Sequence, residues 1–389
     1  MKKIFALSAI LSSFLVFSCQ TDDFSYYYYS PDELAVLSQK LNLPELPTDY
    51  NVVLPNYLSF TGNGGFAQAS IPAAVVLGRV LFYDKSLSKD GKIACATCHK
   101  QELAFGDNAA VSKGVFDRDG VRNAIALSAV PSFSGAYENT GNSLFWDNRA
   151  KTVQEQSRAS LANVKEMDMS MSEVVAAVNN QDYYAILFKK AFGDGIATEE
   201  RVTEAIQSFV HALSSFQSKF DEAAQAQFEA SQQNIGFEFQ AFAKFTTEEN
   251  LGKKIYLNNC ATCHTSTLTI PTVQSASNGL DQNPTDTGVG GITNLAQDMG
   301  TFKVPALRNI ALTAPYMHDG RFETLEQVVD HYSNGIKSHV NLSDKLKNPN
   351  GTPKNFNFSS TEKEALVAFL RTLRDEKMLA DVRFANPFK

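Results

Sequence analysis

Tryptophan occurs once in this chain of 389 residues, histidine six times and cysteine five times, so chemistry built on these side chains has few places to reside. An odd cysteine count excludes a framework made wholly of disulfides. No apolar run reaches the ~20 residues that a membrane-crossing helix requires. Long runs of like charge are absent. The 35 Lys and Arg against 42 Asp and Glu leave a formal charge of −7, which offers no general attraction to nucleic acid or anionic lipid. Glycine-rich phosphate-binding loops are missing and strand signals are scarce, so the chain reads as mostly α. At roughly 150 residues per domain its length predicts two or three domains. What is plentiful is aromatic: 28 Phe and 13 Tyr, enough to line something flat and apolar.

The N-terminus reads as an export signal. Lys2 and Lys3 precede an apolar stretch from Ile4 to Phe17, too short to span a bilayer, and residues 1–18 are assigned as signal peptide. Val16-Phe17-Ser18-Cys19, followed by polar Gln20-Thr21-Asp22-Asp23, resembles a lipoprotein signal that leaves an acylated Cys19 at the mature terminus. Simple cleavage without lipid is the alternative. Either way the chain is expected outside the cytoplasm, in the periplasm or at the outer membrane, tethered by lipid if Cys19 is acylated. Residues 19–70, with Tyr26 to Tyr29, four prolines and the Gly62 to Gly65 region, show little helical period and are expected to form a tether and an arm.

From Ile71 onward the pattern turns helical. Behind Thr198, residues Val202, Ala205, Ile206, Phe209, Val210 and Leu213 recur at helical spacing and predict a core helix over 198–216. Thr246-x-x-Glu249, Thr324-x-x-Gln327 and Thr361-x-x-Glu364 read as capping boxes, opening helices that run to about Asn258, Tyr332 and Leu373. Residues 265–302, rich in Gly, Asn, Ser and Thr, predict a loop of unusual length.

Four cysteines fall into two copies of one motif: Cys95-Ala96-Thr97-Cys98-His99 and Cys260-Ala261-Thr262-Cys263-His264. This spacing lets two thiols bond to the vinyl groups of a haem while the next histidine ligates its iron. A Cys₄ zinc site expects its pairs about 15–20 residues apart, far closer than Cys98 and Cys260. Redox disulfides would not call for a histidine after each pair. Two covalent c-type haems, each in a cytochrome c-like helical domain, are therefore expected.

With these motifs in view, the chain resembles the bacterial di-haem cytochrome c peroxidases and their MauG relatives. The resemblance is carried by Leu77-Gly78-Arg79-Val80-Leu81-Phe82-Tyr83-Asp84, by Phe145-Trp146-Asp147-Asn148-Arg149-Ala150, by Phe302-Lys303-Val304-Pro305-Ala306-Leu307-Arg308-Asn309, and by Ala314-Pro315-Tyr316-Met317-His318-Asp319-Gly320. It implies a peroxidatic haem on His99 within residues 71–220 and an electron-transfer haem on His264 within residues 221–389. It further implies Glu166 as acid-base carboxylate, Gln156 as distal glutamine, Trp146 as the tryptophan between the haems, and a calcium ion with Asn123 as one ligand. Many members carry a removable distal histidine between the first haem motif and the tryptophan. No histidine lies between His99 and His211, so the first haem is expected to be open without prior reduction of the second. His211, among core residues of a helix, is expected to be structural, and His318, in a turn, to sit at a haem edge or make a hydrogen bond.

The distal ligand of the second haem separates two readings. Tyr332 stands where typical peroxidases have methionine and where MauG-like proteins have tyrosine. Leu325, Val328, Val329 and Tyr332 share one helix face, whereas His331 is turned about 100° away. His331, Met317 and Met299 are the other candidates. Methionine raises a haem potential; an anionic phenolate favours the ferric state. The expected function is reduction of hydrogen peroxide to water with electrons from a small cytochrome or copper protein. The alternatives are a MauG-like oxidase acting on a protein or organic substrate through high-valent iron, and a non-catalytic electron-transfer cytochrome. No nucleic-acid partner is expected, and a homodimer is left open.

Overall fold

The computed structural model describes residues 29–44, 48–51, 54–60, 71–128, 143–213, 215–234 and 236–389. The leader at 1–18 and Cys19 lie outside the described residues. In chain order the helices are α1 (Pro31–Leu37), α2 (Asn56–Phe60), α3 (Pro72–Tyr83), α4 (Cys95–Cys98), α5 (Val153–Ala162), α6 (Met171–Asn179), α7 (Asp182–Phe192) and α8 (Glu199–Ala212). They continue with α9 (Lys219–Ala230), α10 (Thr247–Asn259), α11 (Ala261–His264), α12 (Gly290–Thr293), α13 (Leu325–Asp330), α14 (Ser360–Arg371) and α15 (Glu376–Leu379). Strands β1 (Ser275–Ala276) and β2 (Phe302–Lys303) pair antiparallel, Ser275 opposite Lys303.

Two helix crossings organise the packing, and they repeat each other. In α3, Gly78 lies so close to α8 that an added Cβ would meet the Ala205 carbonyl oxygen at 1.8 Å and the Phe209 Cβ at 2.9 Å. In α10, Gly252 lies against α14 in the same way, with the Ala365 oxygen at 1.8 Å and the Phe369 Cβ at 2.8 Å. Only a residue without Cβ permits this approach. Around the first crossing grows a core that includes Val202, Ala205, Ile206, Phe209, Val210 and Leu213, the residues whose spacing predicts α8. Around the second grows another, with Phe220, Phe228, Phe242, Tyr256 and Phe369 in edge-on and tilted contacts. Much of the aromatic excess is spent here.

Caps behave largely as expected. Thr198, Thr246 and Thr324 each accept a hydrogen bond from the third helical residue, the last two within full capping boxes. The box expected at Thr361 sits two residues earlier, at Ser359 and Glu362, because two Ser/Thr-x-x-Glu frames overlap and the helix adopts the longer one. The helix expected to reach Tyr332 keeps α geometry only to Asp330 and continues as a π turn through His331–Gly335. The long loop at 265–302 contains β1 and α12.

The arm is more ordered than its composition suggests. Ser30 and Glu33 form a capping box for α1, and Leu37 and Leu41 bury in the first core. Tyr57 of α2 reaches the second, where its hydroxyl donates to Asp221 at 2.7 Å beside Arg308, itself 2.9 Å from the same carboxylate. The C-terminal tail goes back to the first core. Met378 and Phe384 are buried there, Arg79 donates to the Ala385 carbonyl, Tyr83 to that of Phe384, and Gln101 to those of Met378 and Asp381.

Replacing Gly78 or Gly252 by alanine is expected to destabilise the protein by about 1–3 kcal/mol or more, the usual cost of overpacking a tight crossing. Denaturant unfolding checks this, and a neutral effect at both positions would refute the close-approach account.

Candidate functional site

The two motif histidines are aimed by the same device. His99, just past α4, has Nδ1 2.9 Å from the Phe105 carbonyl oxygen. His264, at the end of α11, has Nδ1 2.9 Å from that of Pro305. A carbonyl can only accept, so Nδ1 carries the proton and Nε2 keeps the lone pair that ligates a metal. Burial holds both imidazoles below their ordinary pKa, with the carbonyl bond acting the other way, and so favours the neutral, ligating form. Cys95, Cys98, Cys260 and Cys263 form no disulfide with one another. Burial pushes Cys95 and Cys260 up to about 12, so they are neutral rather than thiolate. Among the described residues no cluster of three or more His, Cys, Asp or Glu is arranged to hold a metal ion. Paired thiols one helical turn apart beside an imidazole with Nε2 free fit a c-type haem at each motif.

Both motifs line one continuous cavity of about 570 Å³. Trp146, Gln156, Glu166 and Tyr332 line it too. Gln156 and Ser160 lie on one face of α5, and Glu166 follows in the next turn. Its carboxylate accepts from Asn163 Nδ2 at 2.7 Å, and its backbone is fixed by N–H donation to the Asn163 carbonyl and by the Val115 N–H at its own. Burial raises the Glu166 pKa above the ordinary carboxylate value, opposed by hydrogen bonds from Ser160 and Asn163 and by the charge of Arg149.

Trp146 sits where the two halves meet. Its indole N–H donates to the Asn123 carbonyl at 2.9 Å, and its own carbonyl accepts from the Lys303 N–H at 2.7 Å. The ring meets His318 edge-on at 6.5 Å, and His318 stacks on Phe302 at 3.7 Å, so His318 is an aromatic bridge beside the tryptophan. Sequence reasoning missed the clamp behind it. Arg122 grips Asp147 of the first half at 2.6 Å and forks onto Asp286 of the long loop at 2.8 Å. The only signal was an arginine next to Asn123. Asn123 donates its amide N–H to the Ala109 carbonyl at 3.1 Å.

At the far end, Tyr332 projects from the π turn into the cavity, its hydroxyl pushed up to about 12 by burial, with the Asn278 side chain opposing. His331 points elsewhere: its Nε2 is bonded to the Asn278 carbonyl at 3.1 Å. Met317 lines the cavity; Met299 packs against Gly290, away from the lining. His211 does not line it either. Its Nε2 is buried without a hydrogen-bond partner, and burial pushes its pKa down to about 4, as befits a core residue. Among the described residues, the histidines lining the cavity are His99, His264 and His318.

The family model for di-haem cytochrome c peroxidase matches residues 72–229, and that for cytochrome c matches residues 250–374. The methylamine utilization protein MauG of Methylorubrum extorquens is 33% identical over 316 residues, covering 78% of this chain and 79% of that protein. The chain belongs to the di-haem cytochrome c peroxidase and MauG family. Cytochrome c551 peroxidase of Nitrosomonas europaea is equally similar, 33% identical over 309 residues, covering 77% of this chain and 80% of the relative. A solved MauG-like protein associated with microbial copper homeostasis aligns with TM-score 0.70 and 29% identity, over 87% of this chain and 99% of its own. As a family member the protein is an oxidoreductase built from two c-type haem domains.

Mass spectrometry of the mature holoprotein is expected to show two haems per chain. Cys95→Ser with Cys98→Ser should remove one and leave the other, and loss of both or neither would contradict independent attachment.

Proposed function

We propose that this member reduces hydrogen peroxide to water at the His99 site, with electrons from a small cytochrome or copper protein. The observation that carries the reading is the placement of Gln156 and a hydrogen-bonded, half-buried Glu166 in the cavity wall that also presents His99. When bound, the haem there supplies the iron chemistry that passes electrons to the oxygen–oxygen bond. Glu166 as carboxylate takes a proton from bound peroxide and returns it to the departing oxygen, and Gln156 offers an amide to orient the peroxide. Two further protons and two electrons complete the conversion to two waters. Trp146, held from both halves, lies between the two sites and is the coupling residue. Tyr332 would hold the iron of the second haem, a reading supported by its place in the cavity lining while the Nε2 of His331 is engaged with backbone.

A second reading, MauG-like oxidation of a protein or organic substrate, is favoured by Tyr332 and by the missing switch histidine. Peroxide would then leave oxidising equivalents that persist in the presence of a reduced small cytochrome. The N-terminal leader supports work outside the cytoplasm, with Cys19 as the lipid tether. No helix among the described residues is long and apolar enough to cross a membrane.

Glu166→Gln is expected to slow peroxide turnover by roughly 10²–10⁴, the range for a positioned acid-base group. The active form is the carboxylate, so wild-type turnover falls as pH drops through a pKa that burial has raised. This acid limb should vanish in the variant; unchanged turnover would refute the assignment. Electronic and paramagnetic spectra of the resting ferric protein should show a high-spin centre and no methionine-to-iron band. Six-coordinate low-spin centres at both sites would overturn the open first site.

A further inference from the structure

Glu166 sits on the loop that follows α5, and the backbone of that loop is tied at one residue after another. The Asn163 carbonyl accepts from the N–H groups of Glu166 at 2.9 Å and Asp168 at 3.0 Å, and that of Val164 from Arg118 Nη1 at 2.7 Å. The Glu166 carbonyl accepts from the Val115 N–H and the Met167 carbonyl from the Lys89 N–H, each at 2.9 Å. The opposing segment comes so near that a Cβ on Gly114 would lie 2.1 Å from the Lys165 carbonyl oxygen. Backbone held in this way leaves the loop side chains only their own rotamers.

A glutamate on fixed backbone can still swing its carboxylate through several rotamers. Asn163 ends that freedom. Its Oδ1 accepts from the Lys165 N–H at 2.9 Å. A backbone N–H can only donate, so the orientation of the amide is settled and Nδ2 is left facing Glu166 Oε1, 2.7 Å away. Asn163 therefore holds Glu166 at both ends, the backbone N–H through its carbonyl and the carboxylate through its amide, and both residues line the cavity. Two other groups act on the carboxylate: Ser160 bonds to it, and the charge of Arg149 favours its ionised form. Arg149 is itself tied to Asp147 at 2.8 Å. Cys95 and Cys98 lie near enough to feel the charge of Glu166, and carry none of their own once joined to a haem.

We propose that Asn163 is the positioning residue of the first haem site, its amide holding the Glu166 carboxylate in the orientation that takes the proton of bound peroxide. The inference rests on Glu166 being the acid-base group and names what aims it. Proton transfer needs the acceptor within hydrogen-bond reach of the proton, and a misplacement of the order of 1 Å costs about 10²-fold in rate. The amide has a second effect of the same sign, because a donor on a carboxylate favours the ionised, proton-accepting form.

The test mixes hydrogen peroxide rapidly with the purified ferric holoprotein and follows the rate of change of the haem absorption bands across pH, a readout that needs no electron donor. Asn163→Asp keeps an acceptor for the Lys165 N–H, and with it the loop, but puts a like charge where the amide was. It is expected to slow the reaction about 10- to 10²-fold. Its acid limb should move to higher pH, because the Glu166 carboxylate loses a donor and gains a repulsive neighbour. Asn163→Ala should move the limb the same way, by less. In a Glu166→Gln background the same substitutions should cost little more, since no carboxylate is left to aim. A wild-type rate and limb in Asn163→Asp overturns the proposal. So does a loss of equal size in both backgrounds, which marks a merely structural role. Undiminished reaction in Glu166→Gln alone refutes instead the reading of Glu166, a separate and distinguishable result.

Discussion

Two backbone carbonyls, those of Phe105 and Pro305, decide where the reactive metal of each half must lie. Each ties one nitrogen of a histidine and so points the other into the cavity. The bond is short and directional, and it holds only if the carbonyl itself cannot move. Phe105 is fully buried, in a left-handed conformation inside the first core. Pro305 follows β2, whose Lys303 is joined to Trp146 across the junction. The glycine crossings, the aromatic cores and the strand pair all contribute to keeping these two oxygens in place.

The junction between the halves is polar where the cores are not. Arg122, Asp147 and Asp286 form a forked ion pair at the edge of the cavity, partly shielded from water, and the stack of Phe302 on His318 lies beside it. Charge sets the relative placement of the halves here, and the aromatic bridge inherits that placement. Burial lowers the ammonium of Lys303 to about 8, which still leaves it mostly protonated at neutral pH.

What could be read in advance was what depends on neighbours along the chain. Helix α8 follows from a period behind Thr198, the caps of α10 and α13 from a residue type three positions before another, and the haem sites from a five-residue motif. What was not legible depends on residues distant in sequence. Arg122 and Asp286 are 164 positions apart, and nothing local marks them as a pair. The capping box at Ser30 was overlooked because prolines and tyrosines nearby resemble a linker. The π turn at His331–Gly335 is the subtler case: the periodicity of Leu325, Val329 and Tyr332 is genuine, yet the backbone changes its winding just as Tyr332 enters the cavity. Such turns recur at functional sites because they re-aim one side chain at small cost.

The return of the C-terminal tail has a consequence for proteolysis. Phe384 packs against both Phe105 and Phe209, so the residue whose carbonyl aims His99 is braced by a segment that follows the second core in the chain. Here the first core is begun before the second in chain order and closed after it, so a cut between Leu373 and Phe384 would leave His99 poorly aimed in a molecule whose second core is intact.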